Sequence, residues 1–551
     1  MDELVKSRYQ YWLEHINESE VNVLKKMIDT EIENSFYKEL SFGTGGIRGK
    51  MGLGTAKING YVIQRATQGL ANYLKKYCSS NNKVIIGYDT RNHSKEYAQV
   101  TSRVLKVNGF QAFLFKEALP TPCVSFAVRE LKCACGIVIT ASHNPAEYNG
   151  YKVYNENGCQ ITTEAASLIY DEIKKLDYFT IYDDSEYSYV DDIIYVDDII
   201  YEKYIDAVEK ESILPIENKD VSIVYTPLNG TGLRPVTDIL KRKGFTNIQI
   251  VKEQEMPDGN FPTCKKPNPE EYEALNLGIE YAKRYQSDLV LATDPDCDRL
   301  SIAIRIKDNF QILSANELGC LLLDYVCQNI TCVNKPVFIK TIVTTDLAEL
   351  IAKKYNATTI NTLTGFKFIG EQIDILKKQN RENDFIFGFE ESCGFLKGTY
   401  VRDKDATVAA MLVCEMYAYY KSKDISLIER LNELYDEFGY CLNVQHSLTF
   451  DGAKGQAKIE RIMDGVRYVL QTLANSTIVL KKDYLNGIDG LPKSNVIKVF
   501  LDDKNSIIFR PSGTEPKIKI YFSIISKDKE SALQIKEKLY FSIISFINSL
   551  E

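Results

Sequence analysis

Ser142 stands at the mouth of an apolar run, in Gly136-Ile137-Val138-Ile139-Thr140-Ala141-Ser142-His143-Asn144-Pro145. A seryl hydroxyl is a weak nucleophile until something activates or modifies it. Taken alone, Ser-x-Asn-Pro is ordinary turn chemistry. Three further polar loops change its meaning. In Asp294-Pro295-Asp296-Cys297-Asp298-Arg299, three carboxylates alternate directly after another apolar run. Such a group suits Mg²⁺, which takes few protein carboxylates and completes its shell with phosphate oxygens. A calcium EF-hand fails here, because Arg299 stands where that loop needs glycine and Arg305 where it needs glutamate. Carboxylates this crowded repel one another unless a cation offsets them; the plainer alternative is a charged, solvated turn. Arg299 would lie beside the ion and touch the same anion.

The other two loops suit recognition. Glu390 and Ser392, in Gly388-Phe389-Glu390-Glu391-Ser392, offer a carboxylate and a hydroxyl for sugar hydroxyls. A glycosidase needs two carboxylates on opposite sides of the scissile bond, which adjacent residues of one loop do not supply. For Glu391 a solvated face is a reasonable reading. In Arg510-Pro511-Ser512-Gly513-Thr514-Glu515-Pro516-Lys517, the residues Arg510, Ser512, Gly513 and Thr514 can surround a phosphate with a guanidinium, hydroxyls and backbone N–H groups. Arg48 lies within a glycine-rich stretch holding Gly43, Gly45, Gly46 and Gly49, which is neither a dinucleotide fingerprint nor a Walker loop. Asn149-Gly150 predicts a hairpin that folds Lys152 back toward Ser142. Lys404, after the Glu390 loop, adds a cation, although a lone lysine is most often a surface charge.

The elements that must position these groups follow from hydrophobic periodicity. Residues 1–40 carry Trp12, Leu13, Val21, Leu24 and Ile28 at helical spacing. A helix is expected near 60–78. Apolar runs at 84–86, 110–115 and 136–139 then alternate with helical stretches, and the pattern returns at 221–225, 247–251 and 288–292, and again at 336–339, 358–360 and 384–387. Alternating strand and helix predicts α/β domains. In each triplet the last strand runs into one of the polar loops, and ligands of open α/β sheets bind at strand carboxyl ends. The fold class expected is three related α/β domains with mixed, largely parallel sheets, plus a C-terminal α+β domain, around a central cleft. The boundaries expected are 1–205, 206–315, 316–435 and 436–551. The hexapeptide Tyr-Val-Asp-Asp-Ile-Ile occurs twice in succession at 189–200 and reads as a local duplication in a tolerant connection.

Composition narrows the partners. The net charge of −8 argues against a nucleic-acid or anionic-membrane surface as the main partner. No apolar run is long enough to span a bilayer, and residues 1–6 lack a signal-peptide core. The 13 cysteines include no C-x-x-C pair and read as reduced, buried thiols, so a cytoplasmic protein is expected. With only four histidines, a Cys/His zinc cluster has little to draw on.

Together, T-A-S-H-N-P at 140–145, D-P-D-C-D-R at 294–299, G-F-E-E-S at 388–392 and R-P-S-G-T-E-P at 510–516 resemble the α-D-phosphohexomutase family of phosphoglucomutases, phosphomannomutases and their relatives. The resemblance runs in order along the chain from Phe42 to Lys517, and the helical lead-in is similar to that of bacterial members. Cys393 departs from it, standing where relatives carry an aromatic residue. The resemblance implies that Ser142 carries a phosphoryl group. Ser142, Asp294, Asp296 and Asp298 would hold one Mg²⁺ per chain. Arg48, His143 and Lys152 would assist proton transfer at the serine. Glu390, Ser392, Arg299, Lys404, Arg510, Ser512, Gly513 and Thr514 would bind the sugar phosphate. It implies a mutase of hexose 1- and 6-phosphates, glucose first, with glucose 1,6-bisphosphate as intermediate and activator. Mannose or pentose phosphates are the alternatives within the family, and a non-catalytic phosphosugar-binding protein or a metal phosphatase the alternatives outside it. A monomer or weak homodimer is expected.

Overall fold

The computed structural model describes residues 2–43, 45–78, 81–179, 193–215, 219–330, 333–450, 452–512 and 517–550. They form two compact units. The first comprises residues 1–314, 369–387 and 392–419, and the second residues 315–368, 388–391 and 420–551.

Three short helices open the first unit: α1 (Glu3–His15), α2 (Glu18–Lys25) and α3 (Asp29–Phe36). Trp12 anchors them. It is fully buried and meets Phe36, Tyr61 and Phe179 edge-on, with ring centroids 5.7, 5.5 and 5.3 Å away. Leu24 is buried as its spacing predicts, but Ile28 is not. It caps α3 and is exposed, so the helical period breaks there instead of continuing.

A six-stranded sheet follows, built from β1 (Ile47–Lys50), β2 (Lys83–Tyr88), β3 (Gln111–Leu114), β4 (Cys135–Ile139), β5 (Tyr148–Asn155) and β6 (Ile194–Tyr195). Its order is β1-β5-β4-β2-β3-β6. Helices α4 (Gly60–Tyr77), α5 (Ser94–Val107) and α6 (Thr121–Glu130) connect the parallel strands. Strand β4 is buried along its whole length, which is why it reads as an unbroken apolar run. Strand β5 returns antiparallel to it, pairing Lys152 with Val138. The hairpin therefore forms, but Asn149 and Gly150 lie inside β5, and residues 140–147 make the turn. Gly150 is packed between two backbones. A Cβ there would sit 2.6 Å from the carbonyl oxygens of both Ile47 and Thr140. Of the duplicated hexapeptide, residues 189–192 lie outside the described residues; Tyr195 ends β6 and Ile199 opens the next helix.

The second sheet repeats the plan. Strands β7 (Ile223–Thr226), β8 (Ile248–Ile250), β9 (Leu289–Thr293), β10 (Leu300–Ile306) and β11 (Asn309–Leu313) are ordered β11-β10-β9-β7-β8. In both sheets the third strand of the parallel triplet runs beside the first, ends in a polar loop, and is followed by an antiparallel return.

In the second unit, β12 (Val337–Thr341) and β13 (Thr358–Thr362) pair in parallel. The carboxyl end of β14 (Phe385–Glu390) belongs here, while β15 (Gly394–Leu396) belongs to the first unit. The last sheet is wholly antiparallel: β16 (Tyr440–Thr449), β17 (Thr472–Leu473), β18 (Ser476–Asp483), β19 (Ile497–Leu501), β20 (Ser506–Pro511) and β21 (Lys517–Ser526), in the order β16-β21-β20-β19-β18-β17. The helix Lys529–Ser549 covers one face. Lys340 of β12 is fully buried, 3.0 Å from Glu349 and 3.6 Å from Asp346; Asp346 also accepts from Lys498 at 2.7 Å and from Ser506 at 2.8 Å.

Among the described residues, no helix is long and apolar enough to cross a membrane, and twelve cysteines are free thiols, ten of them buried.

Candidate active site

Ser142 lies in the turn between β4 and β5, 3% exposed, with a φ of +55°. The left-handed conformation is costly for a residue bearing a Cβ. The hydroxyl donates to Asp294 Oδ2 at 3.0 Å and lies 3.3 Å from His143 Nδ1. The serine's backbone N–H donates to Thr140 Oγ1 at 2.8 Å.

Asp294, Asp296 and Asp298 occupy the equivalent turn between β9 and β10. All three are buried, and each offers an oxygen within 4.8 Å of the others. Asp294 Oδ1 accepts from the backbone N–H groups of Asp298 and Arg299, at 3.1 and 3.0 Å. Asp296 Oδ2 accepts from Lys152 Nζ at 2.7 Å and from Thr121 Oγ1 at 2.8 Å. Asp298 Oδ2 faces Lys404 Nζ at 2.9 Å and Lys152 Nζ at 3.4 Å. The two remaining oxygens, Asp296 Oδ1 and Asp298 Oδ1, are buried and accept no hydrogen bond. A hard divalent cation fits this donor set, since buried carboxylate oxygens need a partner.

The electrostatics point the same way. Burial, and then the charges of Asp296 and Asp298, push Asp294 well above the ordinary carboxylate range. Burial would raise Asp296 too, but Lys152 above all outweighs it and holds that carboxyl below its ordinary value. Burial would likewise depress Lys152, yet Asp296 and Asp298 hold its ammonium above its ordinary value, so it is cationic. His143 goes the other way: burial, then Arg299 and Arg48, push its imidazole well below the usual range. It is therefore neutral near pH 7.

The other expected residues are spread over both units. Arg48 sits on β1 opposite Gly150 and donates to Asn144 Oδ1 at 2.9 Å. Arg299 pairs with Glu270 at 2.5 Å. Ser392 is half-buried in the first unit. In the second unit Glu390 closes β14 and is buried. Its neighbour Glu391 accepts from Thr341 and Thr344, at 3.0 and 3.4 Å, which removes the solvated-face reading. Arg510 closes on the Tyr521 hydroxyl at 3.4 Å, and the Ser512 N–H donates to the Lys517 carbonyl at 2.7 Å. Gly513 and Thr514 lie outside the described residues.

Three groups around Ser142 were not foreseen. Asp89 and Arg91 follow β2 and bond to the serine turn, Asp89 accepting from Thr140 Oγ1 and Arg91 donating to the Ser142 carbonyl, each at 2.6 Å. Thr121, at the first turn of α6, holds Asp296 by its hydroxyl and by a backbone N–H to the Asp296 carbonyl at 2.9 Å. The available signal was topological: Asp89 and Arg91 stand at the carboxyl end of a central parallel strand, where such sheets place their ligands.

Comparison with known proteins identifies the family. Residues 39–179, 202–306 and 314–438 match, in order, alpha/beta/alpha domains I, II and III of the phosphoglucomutase/phosphomannomutase family. A phosphoglucomutase of Staphylococcus saprophyticus is 37% identical over 537 residues, covering 93% of this chain and 96% of that protein. The open form of parafusin (phosphoglucomutase) from Paramecium superposes with a TM-score of 0.72 at 19% identity, covering 92% of this chain and 96% of that one. An Aspergillus fumigatus N-acetylphosphoglucosamine mutase, solved with GlcNAc-6P and magnesium, gives a TM-score of 0.51 at 14% identity over 100% of both chains. At these identities the two structures speak to the fold alone.

Proposed function

The chain belongs to the phosphoglucomutase/phosphomannomutase family, a family of phosphohexomutases, and from that premise we propose that its substrate pair is glucose 1-phosphate and glucose 6-phosphate. The sugar is supported by the name of the staphylococcal relative, which aligns over nearly the whole chain. The reaction runs through a phosphoryl group on Ser142. The observation that carries this reading is the Ser142 hydroxyl 3.0 Å from Asp294, in a buried acidic triad with two carboxylate oxygens lacking a hydrogen-bond partner.

Ser142, Asp294, Asp296 and Asp298 are the residues that would hold Mg²⁺, which when bound neutralises phosphoryl oxygens. The chain's own groups do the rest, since phosphoryl transfer is chiefly positioning and charge neutralisation. The sugar hydroxyl attacks phosphorus, the bond from phosphorus to Ser142 Oγ breaks, and glucose 1,6-bisphosphate forms. Neutral His143 takes the hydroxyl proton. Cationic Lys152 offsets charge on the transferring group and on Ser142 Oγ. In the return step the other phosphate moves to Ser142 Oγ, and the sugar oxygen it leaves regains a proton from His143. Arg48, Arg299 and Lys404 hold phosphate oxygens, Glu390 and Ser392 hold sugar hydroxyls, and Arg510, Ser512, Gly513 and Thr514 hold the phosphate that is not transferred.

The test is a coupled assay on glucose 1-phosphate with Mg²⁺ and a trace of glucose 1,6-bisphosphate, beside mannose 1-phosphate and ribose 1-phosphate. Glucose 6-phosphate is expected as the fastest product, and a faster mannose or pentose reaction would reassign the sugar. Ser142→Ala should abolish turnover with the fold retained. In the parent chain, mass spectrometry should find the phosphoryl group on the peptide carrying Ser142; its absence after incubation with the bisphosphate would remove the carrier role.

A further inference from the structure

Arg91 is a buried guanidinium, 3% exposed, whose donors all face the protein. Nη1 donates to the carbonyls of Pro145 and Tyr148, at 2.9 and 3.1 Å. Nη2 donates to the carbonyl of Ser142 at 2.6 Å and to that of Asn144. Nε faces Asp89 Oδ2 at 3.2 Å, and the guanidinium lies over the Phe261 ring, 5.0 Å from its centroid. An arginine has five N–H donors in a fixed fork. Four of these donate to carbonyls, and the fifth, on Nε, is buried beside Asp89 without a hydrogen bond, so none is open to a substrate phosphate.

Asp89 is equally committed. Its carboxylate accepts from Thr140 Oγ1 at 2.6 Å, from Ser94 Oγ at 2.7 Å and from the Arg91 backbone N–H at 3.1 Å. Thr140 Oγ1 in turn accepts the Ser142 N–H at 2.8 Å. Ser142 is thus held at its N–H through Thr140 and Asp89, and at its carbonyl through Arg91. These two bonds flank the residue whose φ is +55°. Strained backbone persists where its surroundings over-determine it, and here a single ion pair supplies both constraints.

We propose that Arg91, anchored by Asp89, is a positioning residue for phosphoryl transfer. It grips four carbonyls of the serine turn and so fixes Ser142 Oγ at its distance from Asp294. The inference rests on the reading of Ser142 as the phosphoryl carrier. Lysine keeps the charge of arginine but has no planar fork, and it cannot bridge four carbonyls while facing Asp89.

The experiment uses Arg91→Lys in the full chain, with kcat, KM for glucose 1-phosphate, and deuterium uptake of the peptide spanning residues 140–148. Misplacing a reacting group by an ångström costs about a hundredfold in rate. The expected result is a kcat lower by roughly that factor with KM within about twofold, the pattern of an interaction that matters in the transition state. Uptake should rise in 140–148 while β2–β4 keep their protection. An unchanged kcat, or a raised KM with kcat intact, would overturn the proposal. Should Arg91→Lys fail to fold, Thr140→Val keeps the branched shape and removes the hydroxyl between Asp89 and the Ser142 N–H; about a tenfold loss of kcat at constant KM is expected on the same grounds, and parental kcat would be fatal. If the parent chain transfers no phosphoryl group at all, the carrier reading fails, while faster exchange in 140–148 still reports whether Arg91 holds the turn.

Discussion

Asp294 is the residue on which the site's electrostatics converge. It is crowded by two like charges and, buried, is pushed well above the ordinary carboxylate range, a crowding that a bound divalent ion would relieve. Asp296 is different, because Lys152 already offsets its charge. Asp296→Asn therefore removes a carboxylate of the proposed cation site and also loosens Lys152. The expected outcome is a loss of at least about tenfold in Mg²⁺ affinity, on the order of 1.4 kcal/mol, measured by calorimetric titration. At this scale the sequence was legible where residue type alone marks a candidate, as at Ser142 and the alternating aspartates, which the structure brings together. It was opaque at Arg91, whose partners are main-chain carbonyls that leave no mark in composition. Thr121 was opaque for a related reason: its partner lies 175 positions away.

Elements were readable in proportion to their burial. Strands β4 and β9 are buried along their whole length and stood out as apolar runs. Strands β16 and β18 did not, since each is largely half-exposed and carries polar residues at many positions. Asn149-Gly150 misled because the glycine meets a packing need inside β5, where Ile47 and Thr140 leave no room for a Cβ. A second element-level feature is the ion cluster around Lys340. Burial would raise Asp346, but Lys498 and Lys340 outweigh it and bring the carboxyl from its ordinary 3.8 down to about 2. A depressed carboxylate stabilises the fold above its unfolded value and loses that contribution as pH falls through its folded one. The pH-dependent part of the stability gap between the parent chain and Asp346→Asn should be about 2 kcal/mol near neutrality and should be lost between pH 4 and pH 2. Urea unfolding of the second unit at several pH values measures it, and a gap constant with pH would contradict the assignment.

For the whole chain, a cation that binds only the folded first unit must stabilise it by mass action. At a hundred times its dissociation constant the gain is about 2.7 kcal/mol, or roughly 2–4 °C in the transition that carries this unit. Calorimetry with Mg²⁺ should record that rise, and a chelator should reverse it. The cysteines bear on the same scale. Cys78 and Cys327 are only partly buried, yet burial raises both thiols, Cys327 to about 12. The thiolate is the reactive form, so even these two should be sluggish toward an alkylating reagent in the native protein. Each of the ten concealed sulfurs becomes modifiable only when its own neighbourhood opens. The pattern of tags left by a brief alkylation pulse would thus map, region by region, the order in which the protein comes apart, with no label engineered in.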